Sequence, residues 1–381
     1  MKHTVVAVAA LCWAVSVPAY AQLGGLSKRV GQAMDAKSKL DDLKMSEAEE
    51  RKLGEAVSEK LRQTFGVYQN KDVTKYVGLV GTVLGQASSR PTLEWQFIVL
   101  DTDGVNAFAA PGGLVHVTRG ALGLIRTEAE LAGVLGHEIT HVTAKHTLKS
   151  IQKSKAVTLT ADEVGNGLAA SAITKLAEAT YKNVINNAFD RDDELESDRV
   201  GVTLANKVGY APGALSEVLV RIADRNKDQA EPNGMFASHP LIKDRLSNIA
   251  KVIKDGKLTA TATAAARYTK VITFEAKPLQ AIEVIAGTRG LTGGESKTAS
   301  KDKKEEAKKE EPKKEEPKKK GGLLGKFSTS SSEQKQSSQT VASAGARGGV
   351  PDRDAKGGSN PNKLTIPLTP AEVAEFKKGI A

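Results

Sequence analysis

The sequence predicts a mostly helical α+β domain with a small sheet, followed by a disordered polar tail. Apolar residues recur at helical spacing over Ser46–Leu84, and again over most of the chain from residue 127 to residue 255. Beyond Gly290 the composition becomes rich in Lys, Glu and Pro and then in Ser and Gly, which is typical of disordered chains. Strand-like segments lie between the two helical regions, at Trp95–Leu100, Val105–Ala109 and Leu114–Thr118.

Residues 1–21 have the pattern of a secretory signal peptide. A basic start precedes an apolar run from Thr4 to Val17, and Ala-Tyr-Ala at 19–21 forms a cleavage site. We therefore expect an exported, soluble protein that is periplasmic or secreted. The single cysteine, Cys12, follows a leucine where a lipoprotein signal needs a small residue, so we expect no lipid attachment. Without this cysteine the mature chain has no disulfide bond.

Composition divides the rest of the chain into four parts. Residues 297–320 hold 11 Lys and 7 acidic residues, so much of the net charge of +10 lies in the tail. This removes the main electrostatic argument for a nucleic-acid-binding domain, and it predicts only weak contacts of the tail with anionic envelope surfaces. The parts are a lead-in at 22–43, the main domain at 44–257, a short β-rich extension of unknown placement at 258–291 and the tail at 292–381.

The most informative segment is the helix predicted to begin after Thr127. Thr127 and Glu130 form a capping-box pattern. An apolar stripe follows on one face, and His137 and His141 lie on another. The stripe consists of Leu131, Leu135, Ile139 and Val142. One face of this helix is therefore expected to pack, and another carries two imidazoles.

The spacing of the two histidines indicates a metal site. Side chains at i and i+4 lie one turn apart, so His137 and His141 can both reach a zinc ion at about 2.0–2.1 Å. Glu138 is rotated away from this direction, so it can contact a metal-bound water and accept its proton during attack on a peptide carbonyl. His137-Glu138-Ile139-Thr140-His141 is the H-E-x-x-H arrangement of zinc peptidases. The sequence thus predicts one zinc ion per chain and Glu138 as the catalytic base.

A catalytic zinc ion needs a third protein ligand, and the acidic segment Asp190–Asp198 can supply it. A helix is predicted from this segment to Gly209. Glu194 and Asp198 are four residues apart, so one can bind the metal while the other orients a ligand histidine. Periodicity alone does not exclude Glu196.

Four motifs in this order resemble the CAAX-prenyl-protease-like (Ste-type) family of zinc metallopeptidases, in its soluble exported bacterial branch. The motifs are Asn106–Gly113 (NAFAAPGG), His137-Glu138-x-x-His141, Glu194-x-x-x-Asp198-Arg199-x-Gly201 and Ser238-His239-Pro240. The resemblance covers about residues 44–250 and implies a zincin-like fold. It also implies Glu194 as the third ligand and Asp198 as its supporting neighbour. The family's membrane helices and the repeat domain of some members are not found, so neither prenylated substrates nor recruitment through repeats is expected.

Two further histidines have different expected roles. By the resemblance, His239 lies close to the metal, where it would stabilise the oxyanion or occupy the open zinc position in a latent form. On sequence alone, a histidine in a loop needs no role at the site. Arg245, six residues later, is expected to support it. His146 is expected to end the same helix as His141 and to point away from the ligand face, in a structural role near the helix C-terminus.

The strand at Leu114–Val117 is expected to form the sheet edge beside the cleft. Zincin-type sites bind the substrate as an added strand, a mode that contacts backbone more than side chains. Extended or unfolded polypeptide is therefore the expected substrate. The predicted substrate-binding residues are Asn106, Gly113, Leu114 and Val115.

These observations predict a zinc-dependent endopeptidase that hydrolyses unfolded or misassembled envelope proteins by Glu-assisted attack of zinc-bound water. The alternative is a peptide-binding envelope factor that holds misfolded chains without cutting them. Retention of Glu138 favours the enzyme, because binding alone does not require it. The sequence predicts neither the natural substrate nor the oligomeric state.

Overall fold

The structure is a computed structural model that describes residues 45–154, 157–164, 167–186, 189–228, 238–239, 242–282 and 360–380. The predicted signal peptide, the lead-in at 22–43 and the tail from 292 to 359 lie outside the described residues. Within the described part of the chain, none of the helices is both long and apolar enough to span a membrane.

Helices make up most of the domain, which confirms the predicted α+β fold class. They are α1 (Glu47–Phe65), α2 (Lys71–Ala87), α3 (Arg119–Leu124), α4 (Glu128–Thr143), α5 (His146–Ser154), α6 (Ala161–Val164), α7 (Ala170–Asn186), α8 (Arg191–Val208), α9 (Ala214–Arg225), α10 (Ile242–Asp255), α11 (Ala265–Val271) and α12 (Pro370–Lys378). Two helices, α1 and α2, occupy the segment with helical periodicity, and the break between them falls at Gly66–Asn70. Local sequence also explains where α4 begins, since Thr127 Oγ1 accepts the backbone N–H of Glu130.

A mixed three-stranded sheet forms the centre of the domain. It contains β1 (Gln96–Leu100), β2 (Ala107–Ala110) and β3 (Leu114–Thr118) in the order β1-β3-β2. β3 pairs parallel with β1 and antiparallel with β2. The turn Pro111–Gly113 joins β2 to β3, with positive φ angles at Gly112 (71°) and Gly113 (93°) that favour glycine.

Both faces of the sheet are covered by helices. Phe97, Val99 and Val115 point into one core layer, which α2, α4, α8 and α9 complete. Ile98 and Leu100 alternate with them and point into a second layer, formed with α1 and α7. The sheet is thus the middle of three layers, and its strands are almost fully buried.

The prediction of a β-rich extension at 258–291 is wrong for its described part. Residues Ala265–Val271 form α11, and a single 3-10 turn follows at Leu279–Ala281. Tyr268 and Ile272 are four residues apart and both buried, which is helical spacing. The β-branched residues from Val271 to Thr273 follow at the end of this helix and gave the segment its strand-like composition.

The predicted tail boundary is also wrong at the C-terminus, because residues 360–380 pack on the domain. The backbone N–H of Val67 donates to the carbonyl of Asn360 over 2.7 Å, and Lys75 pairs with Glu372 at 2.6 Å. In α12, Val373 is 6% exposed, and Ile380 beyond the helix is 2% exposed. The composition of the tail as a whole does not indicate these two buried residues, because they follow a long polar segment.

We expect the C-terminal segment to stabilise the domain. Removing residues 360–381 uncovers the surface beneath Val373 and Ile380, and burial of one such side chain contributes about 1.5–3 kcal/mol. Each kcal/mol shifts the melting temperature of a domain of about 200 residues by about 2–4 °C. Thermal unfolding of the chain ending at residue 359 should therefore show a melting temperature lower by about 10 °C.

The control is an internal deletion of residues 297–320, which removes the Lys/Glu/Pro-rich segment but keeps the C-terminal segment. Its melting temperature should match that of the full chain, because the entropy of closing a long connection changes little when the connection is shortened. Equal melting temperatures for the full chain and the chain ending at residue 359 would contradict the prediction.

Candidate metal centre

Helices α4 and α8 cross in close backbone contact at two glycines. A Cβ atom on Gly201 would lie 2.8 Å from the backbone nitrogen of His137, and one on Gly136 would lie 2.9 Å from the carbonyl oxygen of Gly201. Real Cβ atoms essentially never approach so closely, so neither position accepts a side chain without a backbone shift. The crossing places the histidine face of α4 against the acidic first turns of α8.

Four buried side chains converge at this crossing: His137, His141, Glu194 and His239, with one donor atom of each within 4.8 Å of the others. The Nε2 atoms of His137 and His141 lie 3.1 Å apart. Glu194 Oε1 is 3.4 Å from His141 Nε2, and its Oε2 is 3.7 Å from His137 Nε2. The structure therefore brings together the predicted residues of α4, α8 and the Ser238-His239 segment.

The donor separations fit a tetrahedral zinc ion. Ligand atoms at about 2.0–2.1 Å from a tetrahedral centre are about 3.3 Å apart. The three separations among His137, His141 and Glu194 scatter around this value. His239 Nδ1 supplies a fourth donor, 3.3 Å from His137 Nε2 and 2.8 Å from Glu194 Oε1. The set of two or three imidazoles and one carboxylate is one that zinc prefers.

Glu138 lies beside this cluster with a buried carboxylate. Among the described residues, neither of its oxygens has a hydrogen-bond partner, and His239 Nε2 is 3.6 Å from Oε1. Burial raises the pKa of Glu138 above its usual range. A buried carboxylate without a partner is costly, so this position is suited to a group that is bound from outside the chain.

Asp198 and Arg245 hold His137 from behind. The Nδ1 atom of His137 lies 2.9 Å from Asp198 Oδ1. Arg245 donates two hydrogen bonds to the carboxylate of Asp198, from Nε at 2.8 Å and from Nη2 at 2.7 Å. Its Nη1 donates to the backbone carbonyl of His239 at 3.2 Å. Arg245 thus contacts the segment of His239, as the sequence predicts, and also fixes the partner of His137.

The charges of the centre are strongly coupled. Burial alone would raise the pKa of Glu194, but the positive charges of His239 and Arg245 outweigh it and hold this pKa well below its usual range. Burial would lower the pKa of His239, yet Glu194 at 2.8 Å raises it above the usual value. For His141 burial dominates and holds the pKa well below its usual value, which favours the neutral, metal-binding imidazole.

His146 does not lie where its sequence position predicted. Helix α4 ends at Thr143, Lys145 adopts a left-handed conformation with φ 57°, and His146 begins the separate helix α5. This turn brings the ring of His146 back onto His141, with 3.1 Å between their Nδ1 atoms. The turn at Lys145 interrupts the single helix that the sequence predicts here, and no glycine between Thr143 and His146 signals this break.

Glu196 takes a different place from Glu194. Its side chain is 42% exposed, and its Oε2 lies 3.2 Å from His146 Nε2 rather than beside the metal donors. The role of Glu194 as the ligand remains a prediction, and of these two glutamates Glu194 is the one that lies beside the histidine donors.

Phe189 is a residue of the site that the sequence analysis missed. Its ring centroid is 4.0 Å from that of His141 and 5.7 Å from that of His239, so it covers the two imidazoles. Its backbone N–H donates to the carbonyl of Ser238 at 3.4 Å. A lone aromatic residue before an acidic helix start carries no sequence signal for such a position.

The prediction that Leu114–Val117 forms the sheet edge is wrong. β3 is the central strand, and its pairing with both neighbours leaves no free backbone edge. Gly113, Leu114 and Val115 are buried in the turn and in this strand. β2 is the edge on the side of α4, and Asn106 at its start lies 3.4 Å from the hydroxyl of Ser238. The sequence patterns of three consecutive strands do not indicate the order of these strands in the sheet.

A model described as "Peptidase family M48" matches residues 72–253, which contain all four donors of the metal centre. The chain is 27% identical over 209 residues to the "Putative beta-barrel assembly-enhancing protease" of Vibrio cholerae, with 51% of this chain and 42% of that protein covered. It is 30% identical over 158 residues to "Metalloprotease YcaL" of Escherichia coli, with 41% and 61% covered.

The chain thus spans less than half the length of the first of these relatives. The family match, the relatives and the donor cluster together support a metalloprotease. The finer resemblance to CAAX-prenyl-protease-like enzymes remains a prediction.

Substitution of the two glutamates should separate their roles. Glu194→Ala removes a carboxylate that contacts both histidine donors, so we expect it to lose bound zinc. Glu196→Ala removes a half-exposed carboxylate outside the cluster and should keep one zinc per chain at saturating metal. Elemental analysis at saturating zinc measures both, and zinc loss in Glu196→Ala alone would reverse the assignment.

Proposed function

We propose that this chain is a zinc-dependent endopeptidase of peptidase family M48, with His137, His141 and Glu194 as the ligands and Glu138 as the catalytic base. The observation that carries this proposal is the buried carboxylate of Glu138, which has no hydrogen-bond partner among the described residues and lies beside the donor cluster. A binding protein has no use for such a group.

The residues of the centre would have different roles in peptide hydrolysis. A bound zinc ion would polarise the peptide carbonyl and lower the pKa of water. Glu138 accepts the proton at its carboxylate, and its raised pKa brings it closer to the operating pH of a general base. Asp198 accepts a hydrogen bond from His137 Nδ1–H, and Arg245 donates to Asp198 in turn. These contacts would hold the imidazole of His137 in place while negative charge develops on the substrate carbonyl.

The position of His239 supports latency over oxyanion stabilisation. Its Nδ1 lies beside the three other donor atoms. It therefore occupies the fourth coordination position, which a substrate carbonyl or a water would need. Phe189 covers the imidazoles at the same place. We infer that the described arrangement is a closed form, and that displacement of the Ser238-His239 segment opens the site.

The same displacement would expose a strand for the substrate. β2 is the sheet edge beside α4, and Ser238 lies against Asn106 at its start. An extended polypeptide could then pair with β2, so that the substrate strand of the proposal is β2 rather than Leu114–Val117. Recognition through backbone favours unfolded or misassembled envelope proteins as substrates, in keeping with the names of the β-barrel assembly-enhancing relatives.

The second candidate function is a peptide-binding envelope factor that does not cleave. The burial of the whole centre behind His239 and Phe189 favours it, because a permanently closed site would bind metal without turnover. The two candidates differ in whether hydrolysis depends on Glu138.

Glu138→Gln should retain zinc and lose peptide hydrolysis, because the ligands are unchanged and only proton acceptance is removed. Loss of a general base typically costs about 10²–10⁴-fold in rate. Zinc content and cleavage of an unfolded protein should be measured on one preparation, with and without chelator.

The matched control is Glu178→Gln, which neutralises a partly exposed glutamate of α7 that pairs with Lys60. This variant should cleave like the wild-type chain. Full activity of Glu138→Gln would refute the zincin mechanism, and absence of cleavage in the wild-type chain under every condition would favour the binding factor.

His239→Ala should raise the rate of hydrolysis while zinc stays bound. Three ligands remain, and the fourth coordination position, which His239 fills, becomes free. If the closed arrangement is favoured by about 1.4 kcal/mol, the increase is about tenfold. Initial rates on a short unstructured peptide test this. A decrease would assign His239 to transition-state stabilisation instead, and an unchanged rate would remove it from the site.

A further inference from the structure

The two histidines of the H-E-x-x-H arrangement are supported in different ways. Behind His137, Nδ1 meets the carboxylate of Asp198 directly at 2.9 Å. Behind His141, Nδ1 meets another imidazole, the Nδ1 of His146, at 3.1 Å. Because His146 is fully buried and its ring stands edge-on to that of His141, this contact is a built part of the site.

The direction of this hydrogen bond follows from the use of His141 as a ligand. Its Nε2 faces the donor cluster and needs a free lone pair to bind metal, so in the neutral ring the proton is on Nδ1. The Nδ1–H then donates to His146 Nδ1, which must be unprotonated. His146 therefore carries its own proton on Nε2.

The outer end of His146 meets groups that accept this proton. Its Nε2 lies 3.2 Å from Glu196 Oε2 and 3.5 Å from Asp193 Oδ1, both on α8. The hydroxyl of Ser197 lies 3.3 Å from its Nδ1 and adds a second contact on the inner side. Both metal-facing histidines are thus backed by a carboxylate of α8, one directly and one through an imidazole.

We propose that His146 is a positioning residue that holds His141 in the tautomer and orientation required of a metal ligand, and that Glu196 holds His146 in turn. The inference rests on the zinc site of the proposed function and deepens it. Outer partners of this type typically change metal affinity by about 10–100-fold.

Zinc affinity of the purified full chain, measured by competition with a chromophoric chelator, tests the proposal without reference to hydrolysis. His146→Phe keeps the volume of a ring but removes the acceptor, so zinc should bind about 10–100-fold more weakly. His146→Asn can place a carbonyl oxygen near the position of Nδ1 and should retain most of the affinity. Such rescue distinguishes an acceptor from a group that only fills space.

Two controls separate positioning from general destabilisation. His116→Phe changes another buried histidine, which lies in β3 against Ser58 and away from the cluster, and it should leave zinc affinity unchanged. The melting temperature of each metal-free variant shows whether it folds. If His146→Phe does not fold, the comparison of His146→Asn with His146→Leu takes its place at reduced temperature.

The outer link is tested by a double-mutant cycle. Glu196→Ala should weaken zinc binding by a smaller factor in the wild-type background, because Asp193 remains near the same nitrogen. In the His146→Phe background it should have no further effect, since Glu196 acts through His146. Additive effects of the two substitutions would overturn this link.

The outcomes distinguish this inference from the proposed function. Unchanged zinc affinity in folded His146→Phe overturns the inference alone. An equal loss in His146→Asn and His146→Phe also contradicts it, because the acceptor would then be irrelevant. Failure of the wild-type chain to bind zinc would overturn the proposed function and this inference together, whereas an inactive but zinc-binding chain would leave the inference in place.

Discussion

The close crossing of α4 and α8 at Gly136 and Gly201 is the constraint on which the site depends. The backbones touch there, and a methyl group at either glycine would meet the other helix within 3 Å. Only at this separation do the short side chains of α8 reach the imidazoles of α4. His137 and His141 from one helix and Glu194 from the other then enclose a volume of the size that zinc requires.

The rest of the molecule secures this crossing at both ends of α4. At its start, the buried Glu128 accepts hydrogen bonds from Tyr76, Tyr210 and the guanidinium of Arg267, and Arg267 lies over the ring of Phe376 in the C-terminal segment. At its end, His146 returns onto His141. Segments remote in sequence, including the extension and the C-terminal segment, therefore pack at the start of the helix that carries the two histidines.

The buried charges of the centre balance one another. Glu138, Glu194 and Asp198 lie within one small volume, and Arg245 with His239 supplies the opposing charge. Buried ions are costly unless they are paired and hydrogen-bonded, so a bound cation would add to the stability of this cluster of carboxylates. Displacement of His239 from the cluster, as proposed above, would leave Arg245 and a bound metal ion to balance the carboxylates.

Elements whose signals are local can be predicted from the sequence alone. The period of the apolar residues, the cap at Thr127 and the stop at Gly209 predicted the helices, and the spacing of His137, Glu138 and His141 predicted the chemistry. Three features follow from tertiary contacts alone: β3 is the central strand, residues 360–380 pack on the domain, and His146 and Phe189 contact His141, with Glu196 beside His146. These features arise from contacts between segments far apart in the chain, or from one turn at Lys145, and a linear pattern carries no information about which distant surfaces meet.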